Sequence, residues 1–358
     1  MKALTVIVPA YNMQDYLAQC LESMLEASSD ALEILIVNDG STDDTSRIAH
    51  DFAAKFPSVV RVIDKSNGHY GSAVNVGLDA ASGFYVKVID ADDSVEPSAF
   101  RDLIDLAAKQ LASGTSAADL LVNDWVVVNA SGEPTQVYRH PLMHSDGTRN
   151  VDSLPDVAIR DLQTFALTYR RNLLKEITYR QTEGIPYTDT EWSVIPMRAV
   201  KTLLHVPEVV VRYRLGRQGQ TMEPETYAHD FPIVESILSK IVLGYRDDSE
   251  SGFFSQCLAV QLGGVYYMHL ADPFWARHPV PNGDLCRFDE LLAKHPELYR
   301  RTGELPLSRK IGFRYIREWR RRRTTGTLKF FLWRMYARSV ELVMRMKGVF
   351  SRNWIGLK

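Results

Sequence analysis

Short apolar runs and helical-period segments alternate through the first ninety residues. Residues 4–8 are apolar, rich in β-branched side chains and too few for a helix, so they predict a strand. Met13, Tyr16, Leu17, Cys20, Leu21, Met24 and Leu25 then recur at helical spacing, with Asn12 where a cap would stand. Residues 34–37 predict a second strand, a turn at Asn38-Asp39-Gly40-Ser41, and a helix burying Ile48, Phe52 and Phe56. A third strand is expected at 59–63, a loop at 64–71 and a short helix at 72–81. The fourth strand, 84–89, ends in Asp90-Ala91-Asp92-Asp93.

Continuous apolar strands joined by helices predict an α/β protein with a mostly parallel sheet covered on both faces. Ligands of such open sheets bind beyond the carboxyl ends of the strands. Those ends fall at 9–12, 38–41, 65–71 and 90–93, where the polar, acidic and glycine residues gather. Further on the pattern is mixed, with a helix at 100–111 and a strand at 120–129 leading to the turn Ser131-Gly132-Glu133-Pro134. A helix opens at 189 and another strand covers 206–214. Helical periodicity dominates from 230 onward. The expected division is a nucleotide-binding catalytic domain over 1–220, a helical extension over 221–324 and a basic amphipathic helix over 325–358.

Composition adds little until charge is resolved along the chain. Of 358 residues, 45% are apolar and 24% charged, ordinary for a protein with a real core. Cys20, Cys257 and Cys286 show no metal-ligand spacing and suit a reduced, cytoplasmic setting. The uncharged run 251–271 carries Ser255, Gln256, Gln261 and His269, which fits a buried helix better than a membrane span. Residues 301–358, however, hold 16 Lys or Arg against three Glu, a net +13 in a chain whose total is −2. Leu328, Leu332, Met335, Leu342, Met346 and Val349 share one helical face there, opposite Arg334, Arg338, Arg345 and Arg352, and Arg320-Arg321-Arg322-Arg323 precede them. A helix of that kind over 320–358 would lie on an anionic membrane surface, making the protein peripheral on its cytoplasmic face. The alternative is a stripe packed on the protein with solvated arginines. The acidic remainder argues against nucleic acid.

The acidic run after the fourth strand is the clearest chemistry. Neighbouring carboxylates in a cleft repel unless a cation lies between them, and oxygen-only donors suit Mg²⁺ or Mn²⁺ with substrate phosphates. Asp90, Asp92 and Asp93 thus read as a metal–diphosphate site, against the plainer reading of a solvated acidic turn. A rival is aspartyl-phosphate phosphatase chemistry, with Asp90 as nucleophile and Asp92 as acid; it would want the motif on the first strand. Asp39 can accept from the N–H edge of a base or merely shape a turn. Gly68, Gly71 and Gly77 do not match a dinucleotide fingerprint, and His69 reads as a surface or packing residue.

Five blocks together resemble the family 2 glycosyltransferases. They are Thr5-Val6-Ile7-Val8-Pro9-Ala10-Tyr11-Asn12, Ile36-Val37-Asn38-Asp39-Gly40-Ser41-Thr42-Asp43, Lys65-Ser66-Asn67-Gly68, Gly71-Ser72-Ala73-Val74-Asn75-Val76-Gly77-Leu78 and Val88-Ile89-Asp90-Ala91-Asp92-Asp93. The resemblance implies a GT-A fold, an inverting mechanism, a nucleotide-sugar donor (usually UDP-linked) and a bound Mn²⁺ or Mg²⁺. By motif, Pro9, Tyr11 and Asp39 would hold the base, Asn67 the nucleoside, Asp90 the ribose, and Asp92 the metal and diphosphate. The family's catalytic carboxylate lies in an acidic pair before an aromatic residue. Here that stretch is Tyr187-Thr188-Asp189-Thr190-Glu191-Trp192, so Asp189 inherits the base role and Glu191 is second choice. The following segment, Tyr213 to Thr221, resembles one that closes over the donor, with Arg214 or Arg217 on the diphosphate or simply solvated. The acceptor would be a saccharide or lipid-linked saccharide of cell-surface or exopolysaccharide synthesis. A sugar-nucleotide-binding protein without catalysis is the alternative; the intact Asp90, Asp92 and Asp189 favour the enzyme.

Overall fold

The computed structural model describes residues 2–140, 143, 145, 147–155, 162–217, 219–221, 224–247, 250–270, 282–307 and 314–323. The chain divides into two compact units, Met1–Arg217 and Gln218–Lys358.

The first unit is an α/β domain. It opens as the periodicity predicts: β1 (Leu4–Ala10), α1 (Leu17–Glu26), β2 (Leu32–Asn38), α2 (Thr45–Lys55), β3 (Val60–Asp64), α3 (His69–Ala80) and β4 (Tyr85–Val88). β1 and β2 are buried along their whole length, which is why they read as unbroken apolar runs rather than alternating ones. α1 buries Leu17, Cys20, Leu21 and Met24, one helical face, in the core. Each such side chain contributes about 1.5–3 kcal/mol by leaving water. Asn12 is not the cap of that helix. It lies five residues before Leu17 at φ 52, and its side-chain oxygen accepts from the Thr42 N–H at 2.8 Å. The residue thereby ties the loop after β1 to the loop after β2.

Beyond β4 come β5 (Ser94–Val95), α4 (Pro97–Ser113), β6 (Leu120–Val128), β7 (Pro134–Tyr138), β8 (Arg149–Asn150), β9 (Leu167–Arg170), α5 (Arg171–Glu176), α6 (Asp189–Val194) and β10 (Thr202–Arg214). The sheet order is β3-β2-β1-β4-β9-β6-β10-β5, with β7 on β6 and β8 on β10. The first four strands are parallel, as expected. β9 enters antiparallel between β4 and β6, so the whole sheet is mixed. Burial explains the choice of that strand: Lys87 of β4 donates to Asn123 Oδ1 at 2.9 Å and to the Phe165 carbonyl at 2.7 Å, linking β4, β6 and the segment entering β9. Desolvation still lowers its pKa to about 7.

The second unit is helical: α7 (Pro224–Leu243), α8 (Gly252–Leu270), α9 (Asn282–Leu292), α10 (Pro296–Gly303) and α11 (Tyr315–Arg323). α8 is buried on almost every side, in keeping with its uncharged sequence. Among the described residues no helix is long and apolar enough to cross a membrane. Arg320 departs from the basic patch expected of 320–323. Its Nε donates to Asp289 at 2.6 Å, its Nη1 to the Tyr299 carbonyl, and its guanidinium lies 3.5 Å from the Tyr299 ring centroid. A fully buried Asp289 requires that cation, so Arg320 is an internal ion-pair partner rather than a solvated charge. The stripe expected over 325–358 lies outside the described residues.

Candidate active site

Register brings the predicted loops to one edge of the first unit. β1 and β2 align so that Ala10 faces Asn38, and β1 and β4 so that Ile7 faces Val88. The chain leaving each strand therefore emerges at the same end: Pro9 and Tyr11, Asp39, and Asp90 to Asp93. Pro9 is buried within β1, whereas Tyr11 is 45% exposed just past it.

Asp39 is buried and turned onto the loop before α3. Its Oδ1 accepts from the Gly68 N–H at 3.0 Å and from Lys65 Nζ. Gly40 makes this approach feasible: its φ is +73°, and a Cβ there would stand 2.8 Å from the Asn67 nitrogen. Asn67 is exposed on the same loop, its Oδ1 accepting from the His69 N–H at 3.3 Å. His69 itself has φ 64 at the start of α3.

The acidic cluster forms where β4 ends. Tyr70, the second residue of α3, donates its hydroxyl to Asp90 Oδ1 at 3.0 Å. Burial, then the charges of Asp92 and Asp189, push Asp90 up to about 7, against the pull of Tyr70 and Arg217. Asp93 is raised well above the ordinary carboxyl range by burial and by the charges of Asp92 and Asp90. Its Oδ1 accepts from the Arg214 N–H at 2.8 Å, while its Oδ2 is buried without a hydrogen-bond partner among the described residues. Three crowded carboxylates, one with an orphaned oxygen, are the hard, oxygen-only donor set that a Mg²⁺ or Mn²⁺ ion fits. Asp92 would hold it.

The two arginines differ. Arg214 is 5% exposed and is not a solvated charge: it donates to the Asp92 carbonyl (3.0 Å), the Ala130 carbonyl (2.8 Å) and Gln19 Oε1 (2.7 Å). It fastens the acidic turn to α1 and to the end of β6. Arg217 donates from Nε to Asp92 Oδ2, and both guanidinium groups lie over the Tyr16 ring. The acidic run follows β4, the fourth strand of the chain, not the first strand that a phosphatase nucleophile would want.

Asp189 begins α6 and joins this cluster, since its charge acts on Asp90, Tyr70 and Tyr213. The residue is exposed at the surface, yet desolvation of its carboxyl raises its pKa. Thr188 does not cap the helix; its hydroxyl donates to Gln181 Oε1 at 3.1 Å. Glu191, the second candidate, is buried with both oxygens engaged by Thr182, one by the N–H at 2.6 Å and one by the hydroxyl at 2.7 Å. It anchors a loop. Tyr187 sits at φ 63, a rare conformation for an aromatic residue, directly before this pair. The Thr182 carbonyl also approaches Gly71, where a Cβ would come within 2.1 Å.

Sequence reading overlooked the aromatic side of the site. Tyr213 of β10 lies within the electrostatic reach of Asp93, Asp92, Asp90 and Asp189, whose charges, after burial, raise its pKa. Its ring stacks on Phe165 at 4.6 Å, and Phe165 meets Trp125 edge-on at 4.4 Å. Residues this far apart in sequence give no local signal.

Comparison with known proteins fits this geometry. Residues 5–177 match the family model described as Glycosyl transferase family 2. The uncharacterized glycosyltransferase YibD of Escherichia coli K12 is 29% identical over 259 residues, 68% of this chain and 72% of that protein. The uncharacterized glycosyltransferase EpsJ of Bacillus subtilis is 39% identical, but over only 29% of this chain and 30% of its own length. Among solved structures, TarS 1–349 of S. aureus in complex with UDP-GlcNAc has a TM-score of 0.60 at 18% identity, over 90% of this chain and 92% of that one. The mannosyltransferase PcManGT of Pyrobaculum calidifontis, in complex with GDP-Man and Mn²⁺, has a TM-score of 0.52 at 18% identity, over 84% of each chain. At such identities these likenesses concern the fold.

Proposed function

Because the chain belongs to glycosyltransferase family 2, we propose that it moves a sugar from a nucleotide diphosphate donor, foremost a UDP-sugar, to an acceptor hydroxyl with inversion. The observation that carries this reading is the acidic run Asp90 to Asp93 just past β4, with the charge of Asp189, at the start of α6, acting on Asp90.

In this mechanism Asp39, with Pro9 and Tyr11, holds the base, Asn67 holds the nucleoside and Asp90 faces the ribose. Arg217, which meets Asp92, would neutralise diphosphate oxygens. A divalent cation held by Asp92 would supply charge compensation for the departing nucleoside diphosphate. Asp189 takes the proton of the acceptor hydroxyl as that oxygen attacks the anomeric carbon, and its raised pKa strengthens it as a base. Binding both reactants in the cleft removes much of the entropic barrier. Phe165 and Tyr213 would face the acceptor sugar, because aromatic rings cover the apolar faces of pyranoses.

The UDP-GlcNAc complex of TarS supports a UDP-sugar and the GDP-Man complex of PcManGT keeps a GDP-sugar in view. An acceptor from cell-surface polysaccharide synthesis fits the family, and a membrane-bound acceptor would suit the basic segment near 320–358. The test is nucleotide release from a panel of UDP-, GDP- and dTDP-sugars with Mn²⁺ or Mg²⁺. Release from one donor class, lost in Asp189→Asn, supports the reading; inertness toward all of them defeats it.

A further inference from the structure

A second cluster of ligand-type side chains lies inside the first unit, made of residues the proposed glycosyl transfer does not use. Asp124 stands on β6, His205 on the adjoining β10, and His140 two residues beyond β7. All three are buried, at 2%, 5% and 2% exposure. One ligand atom from each lies within 4.8 Å of the other two.

The contacts converge on a single oxygen. Asp124 Oδ1 lies 2.9 Å from His205 Nε2, 3.3 Å from His140 Nδ1 and 2.9 Å from the His140 backbone nitrogen. A carboxylate oxygen offers about two lone-pair sites, so three hydrogen-bond donors oversubscribe it. Asp124 Oδ2 meanwhile meets Arg139 at a long 3.4 Å. The crowding is natural if the backbone N–H alone donates and the two ring nitrogens turn lone pairs toward an ion. Tetrahedral zinc with bonds of about 2.0–2.1 Å implies ligand edges of roughly 3.3 Å, close to both ring-to-oxygen separations.

The sheet is also deformed around this point. β10 advances from Val206 to Val211 while β6 advances only from Asn123 to Trp125, with register shifts on both sides of the Val209–Asp124 pair. Pro207 lies in that excursion. Bulges of this kind re-aim side chains and gather at sites.

We propose that Asp124, His140 and His205 are the protein ligands of a second metal site, which takes a zinc-class divalent ion. Imidazole nitrogens set it apart from the hard-oxygen site at Asp92. An ion there, with a fourth position for water, would clamp the segment after β7 to β6 and β10.

The probes are Zn²⁺ and Co²⁺ alone, without nucleotide. Wild type and Asp92→Asn should each retain about one equivalent of Zn²⁺ through gel filtration, and Co²⁺ should give the strong visible bands of a low-coordinate nitrogen–oxygen site. His205→Gln and His140→Gln should bind Zn²⁺ at least tenfold more weakly, with circular dichroism confirming that they fold. Should either variant unfold, the wild-type Co²⁺ spectrum decides. Folded wild type that retains no Zn²⁺ and gives no such bands overturns the proposal, as does retention that disappears in Asp92→Asn and survives in His205→Gln.

Discussion

Arg217 Nε donates directly to Asp92 Oδ2, so the cation expected at the donor diphosphate and the carboxylate expected at the metal neutralise each other. Both groups are mostly buried, which makes the pair a strong charge-assisted contact. A diphosphate with its cation offers each of them a better-matched partner, so the pair is a ground-state arrangement that donor binding would replace. Arg217→Ala should weaken binding of UDP about tenfold or more while leaving uridine binding nearly unchanged, in line with about 1.5–3 kcal/mol for a charged hydrogen bond. Titrating both ligands by calorimetry checks it. Equal losses for UDP and uridine would remove Arg217 from the diphosphate.

Asp189 carries a prediction about pH. Its folded pKa is raised, so the carboxylate needed to accept a proton is lost as pH falls through a value above the usual ~3.9 of aspartate. The turnover rate should therefore show an acid limb displaced upward from the ordinary range. Asp189→Asn should lower turnover by about 10²–10⁴-fold, the usual weight of a general base, with donor affinity kept. Near-normal turnover in that variant would disprove the assignment.

Phe165 stacks on Tyr213. Phe165→Ala should raise the acceptor KM several-fold and leave donor hydrolysis within about twofold, since an aromatic contact of this sort contributes about 0.5–1.5 kcal/mol. Steady-state kinetics with each substrate varied in turn separates the two. A change confined to the donor KM would move Phe165 to the other side of the site.

Arg320 and Asp289 make a buried pair in the helical unit, joined by the Tyr266 hydroxyl. Removing this cation from a fully buried carboxylate is costly, so Arg320→Met should destabilise the unit by about 3–5 kcal/mol. Urea unfolding followed by far-UV circular dichroism measures it, and a loss below 1 kcal/mol would contradict the pairing.

These relationships were unequally visible in the sequence. The four leading strands and their helices could be read locally, because buried parallel strands are unbroken apolar runs and each loop follows its own strand. β5 and β9, of two and four residues, leave too short a pattern to read, and β9 is held by Lys87 and Asn123 from strands far away. Asp90, Asp92 and Asp189 were legible as residue types in motifs. Tyr70, Tyr213, Phe165 and the Asp124–His140–His205 cluster depend on contacts between distant segments, which no local spacing reveals. Asn12 misled for a related reason: a good capping residue was in range of a helix, but its side chain serves Thr42.

The most direct measurement is calorimetric titration of UDP into wild type and Asp92→Asn, each with and without Mn²⁺. The account predicts that Mn²⁺ tightens UDP binding to wild type by at least tenfold and changes little in the variant. UDP binding that ignores Mn²⁺ in both proteins, or no binding at all, would contradict it.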